Sequence, residues 1–172
     1  MIPAIGTITT EQANATTATM KAITKLLNYC ATHPDAVVRY YSSDMILWIE
    51  SDASYLSETK ARSRAAGYHY LSNKPPNPDQ PPAPTDPSPP MNGAIVVPCK
   101  VMREVLSSAS EAELAALFYN GKEGAPLRIT LKELGHKQPP TPMVTDNSTA
   151  SGNASGTANE SVKQKRSKAM DM

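Results

Sequence analysis

The stretch Met45-Ile46-Leu47-Trp48-Ile49-Glu50-Ser51-Asp52-Ala53-Ser54 decides the fold class. Its apolar, partly β-branched start reads as a strand, and the strand leads straight into an aspartate. A carboxylate at a strand end faces a cleft and not a core. Upstream, Val37-Val38-Arg39-Tyr40-Tyr41 is a second β-rich run, set apart by the polar Ser42-Ser43-Asp44. Downstream, residues 65–72 and 94–97 are further strand candidates. Between these two, Lys74 to Pro90 carries nine prolines. Such a segment reads as an extended, polyproline-like surface insertion within a hairpin.

The flanks read as helix. From Glu11 to Thr32, Met20, Ile23, Leu27 and Cys30 fall at helical spacing, and His33-Pro34-Asp35 ends the run. Ser107 to Gly135 is mainly helical, with Gly121, Gly124 and Pro126 expected to break or kink it. Met143-Val144-Thr145 is a short strand ending at Asp146, and Ser148 to Ser161 is a weak helix or a loop. A basic run, Lys163-Gln164-Lys165-Arg166-Ser167-Lys168, follows. The order predicts an α/β domain with a mixed sheet: an antiparallel three-stranded meander, a helix, then a further parallel strand. The organisation expected is an N-terminal helical segment, 1–36, and one domain, 37–172, with a Pro-rich insertion at 74–92 and a basic tail at 161–172.

Composition narrows the partners. The chain has 172 residues, 40% of them hydrophobic, 16 prolines and a net charge of +1. Overall charge therefore does not point to a polyanion, and local basic clusters must carry that argument. Cys30 and Cys99 form no Cys-x-x-Cys pair and the three histidines are scattered, which argues against zinc. A reduced, cytoplasmic setting is expected, with no membrane partner. The sequons at Asn14, Asn147, Asn153 and Asn159 are read as chance in an Asn/Ser/Thr-rich chain.

Four carboxylates stand in distinctive settings: Asp52, Glu113, Asp146 and Asp171. Each has a plain alternative. Asp52 could begin a turn and Asp146 could cap a helix. Both Ser108-x-x-Glu111 and Ser110-x-x-Glu113 fit a capping box, so either glutamate could serve the helix start. As a set, oxygen ligands on separate elements suit hard cations.

The segments Ser51-Asp52-Ala53-Ser54-Tyr55, Ser108-Ala109-Ser110-Glu111-Ala112-Glu113-Leu114, Thr145-Asp146-Asn147-Ser148-Thr149-Ala150 and Lys165-Arg166-Ser167-Lys168-Ala169-Met170-Asp171 resemble, in order, the ribonuclease H domain of copia-type retrotransposon polyproteins. The resemblance runs from Val37 to the C-terminus, and the N-terminal helix resembles the connection that follows the reverse transcriptase. It departs at Ser54 and Tyr55, where the family carries an acidic residue and Trp, and at Ala169, where it carries His. The family pattern continues beyond Met172, so the resemblance implies a C-terminally truncated copy.

The resemblance implies an RNase H-like fold and two-metal-ion hydrolysis of the RNA strand of an RNA–DNA hybrid. Mg²⁺ is the implied cofactor, with Mn²⁺ able to substitute, and the reverse transcriptase portion of the same polyprotein is an implied partner. Asp52 would bridge both metals, Glu113 and Asp146 would complete the ligand set, and Asp171 would hold the metal that activates water. Expected nucleic-acid contacts are Lys60, Arg62, Arg64, Lys165, Arg166 and Lys168 to phosphates. Asn147, with Ser54 and Ser110, would face the 2′-hydroxyls that distinguish RNA. Two other readings stay open: an inactive remnant that keeps the fold, and a module that only binds nucleic acid.

Overall fold

A computed structural model describes residues 1–77, 86–87, 89–147 and 150. The chain divides into two compact units, Met1–Val38 and Arg39–Met172.

The first unit is a helical pair, α1 (Ile2–Thr10) and α2 (Thr17–Thr32), joined through a short 3₁₀ turn at Gln12–Asn14. The helix expected from Glu11 therefore begins at Thr17. The cap sets this boundary. Thr16 Oγ1 accepts from Thr19 N–H at 3.3 Å, and Thr16 N–H donates to Thr19 Oγ1 at 3.0 Å. This is a reciprocal capping box with threonine in the place of the usual Glu or Gln. Thr19 also donates to Glu11, which lies outside the helix.

The second unit is built on a long antiparallel hairpin, β1 (Ile46–Glu58) and β2 (Arg62–Ser72). Its register pairs Trp48 with Tyr70, Asp52 with Ala66 and Ser54 with Arg64. The strand does not end at Asp52 as expected: it continues to Glu58, which places Asp52 mid-strand. β3 (Ala94–Val96) and β4 (Cys99–Val101) both pair antiparallel with β2 and act as one edge strand broken at Val97-Pro98. Proline cannot donate to a ladder, so a break there costs little. Gly67 N–H still finds the Pro98 carbonyl at 2.9 Å. On the other side β5 (Met143–Val144) pairs parallel with β1, giving a mixed sheet in the order β3-β2-β1-β5.

Residues 37–41 form no strand. Side-chain amides stand in for strand partners instead. Asn92 Oδ1 accepts from Tyr41 N–H, and its Nδ2 donates to the carbonyls of Tyr41 and Leu71. At the opposite edge buried Gln138 accepts from Leu47 N–H and donates to the Met45 carbonyl. Backbone polar groups at a buried edge must be paired, and these two amides pair them.

Between β4 and β5 runs α3 (Ala109–Glu133), a single helix of 25 residues. The breaks expected at Gly121, Gly124 and Pro126 do not occur, because packing against the hairpin holds the helix through them. Gly124 gives close approach and not flexibility: a Cβ there would lie 2.6 Å from Ile49 Cδ1. One sheet face meets α3 through Leu47, Ile49 and Leu131, and through Ala65 with Ala112, Ala115 and Ala116. The opposite face carries Ile46, Trp48 and Tyr70. This alternation is the period of two that a two-faced strand requires. Among the described residues no helix is long and apolar enough to cross a membrane.

Candidate metal centre

The geometry of the site begins at the start of α3. Ser108 is the N-cap, and its Oγ accepts from Glu111 N–H at 3.1 Å. Glu111 reaches back and accepts from both the backbone N–H and the hydroxyl of Ser107, at 2.6 and 2.7 Å. Of the two Ser-x-x-Glu patterns, the one formed by Ser108 and Glu111 caps the helix, with Glu111 reaching Ser107 and not the N-cap N–H. Capping needs only one of them, so Glu113 is left for another task.

Glu113 turns to the edge of β1. Val144 pairs with Glu50, after which β5 ends and the Ala53 N–H faces an open edge. Glu113 Oε1 accepts this N–H at 3.2 Å, and Thr145 Oγ1 donates to its other oxygen at 3.4 Å. The side chain thus completes a ladder that β5 leaves unfinished. It also lies beside two more acids. Carboxylate oxygens of Asp52, Glu113 and Asp146 all fall within 4.8 Å of one another. Asp52 and Asp146 are exposed, whereas Glu113 is only 7% exposed.

This arrangement is electrostatically expensive. Burial pushes the Glu113 carboxyl above the usual carboxylate range; Asp52 and Asp146 push the same way, and the Ala53 N–H and Thr145 hydroxyl only partly offset this. The two ion pairs among the described residues, Arg64–Glu58 and Lys100–Glu123, do not involve the trio. Among the described residues, three acidic groups from separate parts of the chain therefore converge without an ion pair to a cation.

The other expected site residues are placed differently. Asp171, Lys163, Lys165, Arg166 and Lys168 lie outside the described residues. Lys60 is exposed at the turn between β1 and β2, with φ 61°. Arg62 is half-buried. Arg64, expected at a phosphate, is 5% exposed and engaged within the fold. Its Nε donates to Glu58 Oε1 at 2.7 Å and its Nη1 donates to Cys99 Sγ at 3.7 Å. It cannot serve as a surface cation in this arrangement. Asn147 follows Asp146, and its Oδ1 accepts from Ala150 N–H at 3.0 Å, a capping role. Ser54 is exposed and Ser110 half-buried.

Two contributors escape a reading by residue type. Thr145 orients Glu113 although it is an ordinary residue just past β5, and the Ala53 contribution is a backbone N–H. In comparisons with protein-family models, curated proteins and solved structures, the chain matches none.

Proposed function

We propose that this chain is an RNase H-like nuclease domain of a copia-type retroelement, and that Asp52, Glu113 and Asp146 hold its divalent cations. The observation that carries this reading is the convergence of the three carboxylates, within 4.8 Å, from β1, α3 and the segment just past β5. The element order supports it: an antiparallel hairpin and a third strand, a long helix, then a strand parallel to β1.

The donor set fits the implied metal. All three groups offer hard oxygen ligands, which suit Mg²⁺ or Mn²⁺ and not zinc. Burial first, and the two neighbouring acids second, raise the proton affinity of Glu113, and a cation would offset both. Asp52, Glu113 and Asp146 would be the ligands, with Asp171 as the fourth expected from the family pattern. Bound there, Mg²⁺ supplies charge to offset the scissile phosphate and acidifies water for attack on it.

The chain's own residues set the conditions for this chemistry. Ala53 N–H and the Thr145 hydroxyl hold Glu113 in one orientation, so the ligand set is preorganised. Exposed Lys60 and half-buried Arg62, on the hairpin that carries Asp52, are available to phosphates. On this reading the substrate is the RNA strand of an RNA–DNA hybrid, cut endonucleolytically during reverse transcription in the cytoplasm, beside the polyprotein's reverse transcriptase.

The test is a labelled RNA–DNA hybrid incubated with the protein and Mg²⁺, beside Asp52→Asn. The proposal expects hybrid-specific cleavage by the wild type and its loss in the variant with the circular dichroism spectrum unchanged. Undiminished cleavage by Asp52→Asn would refute it. Salt-sensitive binding of the hybrid without cleavage, in Mg²⁺ or Mn²⁺, would favour a module that only binds.

A further inference from the structure

Under α3, at the centre of the sheet, lies a cluster of buried polar side chains that the site described above does not use. Asn120 is 2% exposed, Ser51 5% and His69 fully buried. Asn120 Nδ2 donates to the Ser51 hydroxyl and to the Ala66 carbonyl, each at 2.9 Å. Its Oδ1 lies 3.3 Å from His69 Nε2. The carbonyl of Ala66 can only accept, which fixes the amide orientation and directs Oδ1 toward the imidazole. His69 Nε2 must then be the donor. The ring's Nδ1 is buried and has no hydrogen-bond partner among the described residues.

Position gives the cluster its meaning. Asn120 follows Glu113 by about two helical turns, so both point to the same side of α3. Ser51 immediately precedes Asp52, and Ala66 is the register partner of Asp52. The single amide of Asn120 therefore ties α3 to both strands of the hairpin next to the aspartate. The space for it comes from Gly67, where a Cβ would overlap Asn120 Oδ1. Elsewhere α3 meets the sheet through the Glu113–Ala53 bond, the exposed Lys100–Glu123 pair and Leu, Ile and Ala contacts, and these apolar contacts tolerate sliding because they have no direction. Hydrogen bonds to a fixed carbonyl and a fixed ring do not.

We propose that Asn120 is a positioning residue: clamped by Ser51, the Ala66 carbonyl and His69, it fixes the register of α3 on β1 and so sets Glu113 against Asp52. Its significance for cation binding rests on the reading of the three carboxylates given above. The clamp itself can be tested without any metal, through the Ala53 N–H that Glu113 accepts.

Amide hydrogen exchange of Ala53 in metal-free protein reports the placement of Glu113. Leu47 N–H, held by Gln138 in the same strand, is the reference for general opening. In Asn120→Leu, which keeps the branched shape and removes the hydrogen bonds, Ala53 exchange should accelerate at least tenfold while Leu47 changes less than twofold. Ser51→Ala, a milder variant that removes one bond, should show the same selectivity at about threefold. Equal acceleration of both amides would reduce Asn120 to a general stabiliser and overturn the proposal, as would no acceleration at Ala53. A Mn²⁺ titration followed by Trp48 fluorescence adds the link to the site: Asn120→Leu should bind at least tenfold more weakly. Absence of Mn²⁺ binding by the wild type would defeat the cation reading, whereas the Ala53 result decides the clamp on its own.

Discussion

Replacing Glu113 by Gln should stabilise the metal-free protein and abolish its response to Mg²⁺. Two like charges 4.8 Å apart repel by about 1 kcal/mol even at the dielectric of water, and by more in a partly buried site. Glu113 faces two such neighbours, Asp52 and Asp146, at no more than that separation. Glutamine keeps an oxygen for the Ala53 N–H and removes both repulsions. A gain of about 1–2 kcal/mol at pH 7 is expected, or roughly 4 °C or more in melting temperature for a domain of this size. The pH dependence follows from the raised proton affinity of Glu113 in the folded state. The folded chain holds this proton more tightly than the unfolded one, so the penalty is absent below the unfolded carboxylate value, about 4.3. It grows as pH rises from there through the higher folded value. The advantage of Glu113→Gln should therefore vanish in acid. With Mg²⁺ the order reverses: at a hundredfold excess over the dissociation constant the wild type gains about 2.7 kcal/mol, and the variant gains little. Trp48, the sole tryptophan and 3% exposed, makes thermal unfolding visible by fluorescence in EDTA and in Mg²⁺. A destabilised variant in EDTA at pH 7, or equal Mg²⁺ responses in both proteins, would refute the reasoning.

Two further outcomes test the packing and the buried imidazole. Leu47→Ala removes a fully buried side chain that packs with Ile49 and Leu131, and should cost about 2–5 kcal/mol in urea unfolding; a loss under 1 kcal/mol would contradict the placement of α3. Burial holds the His69 imidazole below its ordinary value of 6.5, against smaller upward pulls from Asn120 and Glu123 on α3. Glu123 is itself paired with Lys100 of β4, and the residues opposite His69 on β1 and β3, Ile49 and Val96, are apolar. The unfolded chain thus takes up the proton first, and stability should fall as pH drops below about 6.5. His69→Gln should flatten that part of the urea midpoint against pH, and an unchanged profile would show that another group titrates there.

The sheet was legible where a strand has two distinct faces. The run from Met45 to Ile49 and the segment 65–72 alternate between the α3 face and the opposite face, and both are strands. Met143-Val144 was legible because its apolar pair ends at an aspartate. Residues 37–41 misled because propensity reports what a backbone tolerates and not whether a partner strand exists; here Asn92 occupies the partner's position. The glycines of α3 misled for the opposite reason. Gly124 looks like a breaker in isolation, yet its missing side chain admits Ile49. At the site, Asp52 and Asp146 could be singled out by setting, but the capping pattern alone left Glu111 and Glu113 open, and only the resemblance chose Glu113. Both fit a capping pattern, and the reach of Glu111 back to Ser107 gives the physical reason for the different roles. Arg64 looked like a surface cation because Glu58 lies across a turn whose geometry depends on left-handed Leu56, Lys60 and Ala61.

The polar groups beneath α3 bear on why the site holds its shape. A helix that packs on a sheet through Ala, Leu and Ile alone gains stability from apolar contact but little specificity of register. The buried side of α3 departs from that pattern at Glu113 and Asn120, and both face β1 beside Asp52. Each is costly alone: one is an anion among anions, the other an amide that needs Gly67 for space and a histidine kept neutral. If stability alone governed these positions, apolar residues of similar size would serve better. The two costs are linked by geometry. An anion placed beside two others is pushed away unless its helix is held, and the Asn120 amide is a buried directional contact that helps to hold it. Asn120→Leu and Glu113→Gln should therefore not be additive in the Ala53 exchange rate. Once Glu113 has lost its charge, loosening the clamp should accelerate Ala53 markedly less than it does in the wild type. Additive effects would mean that the clamp and the carboxylate act independently.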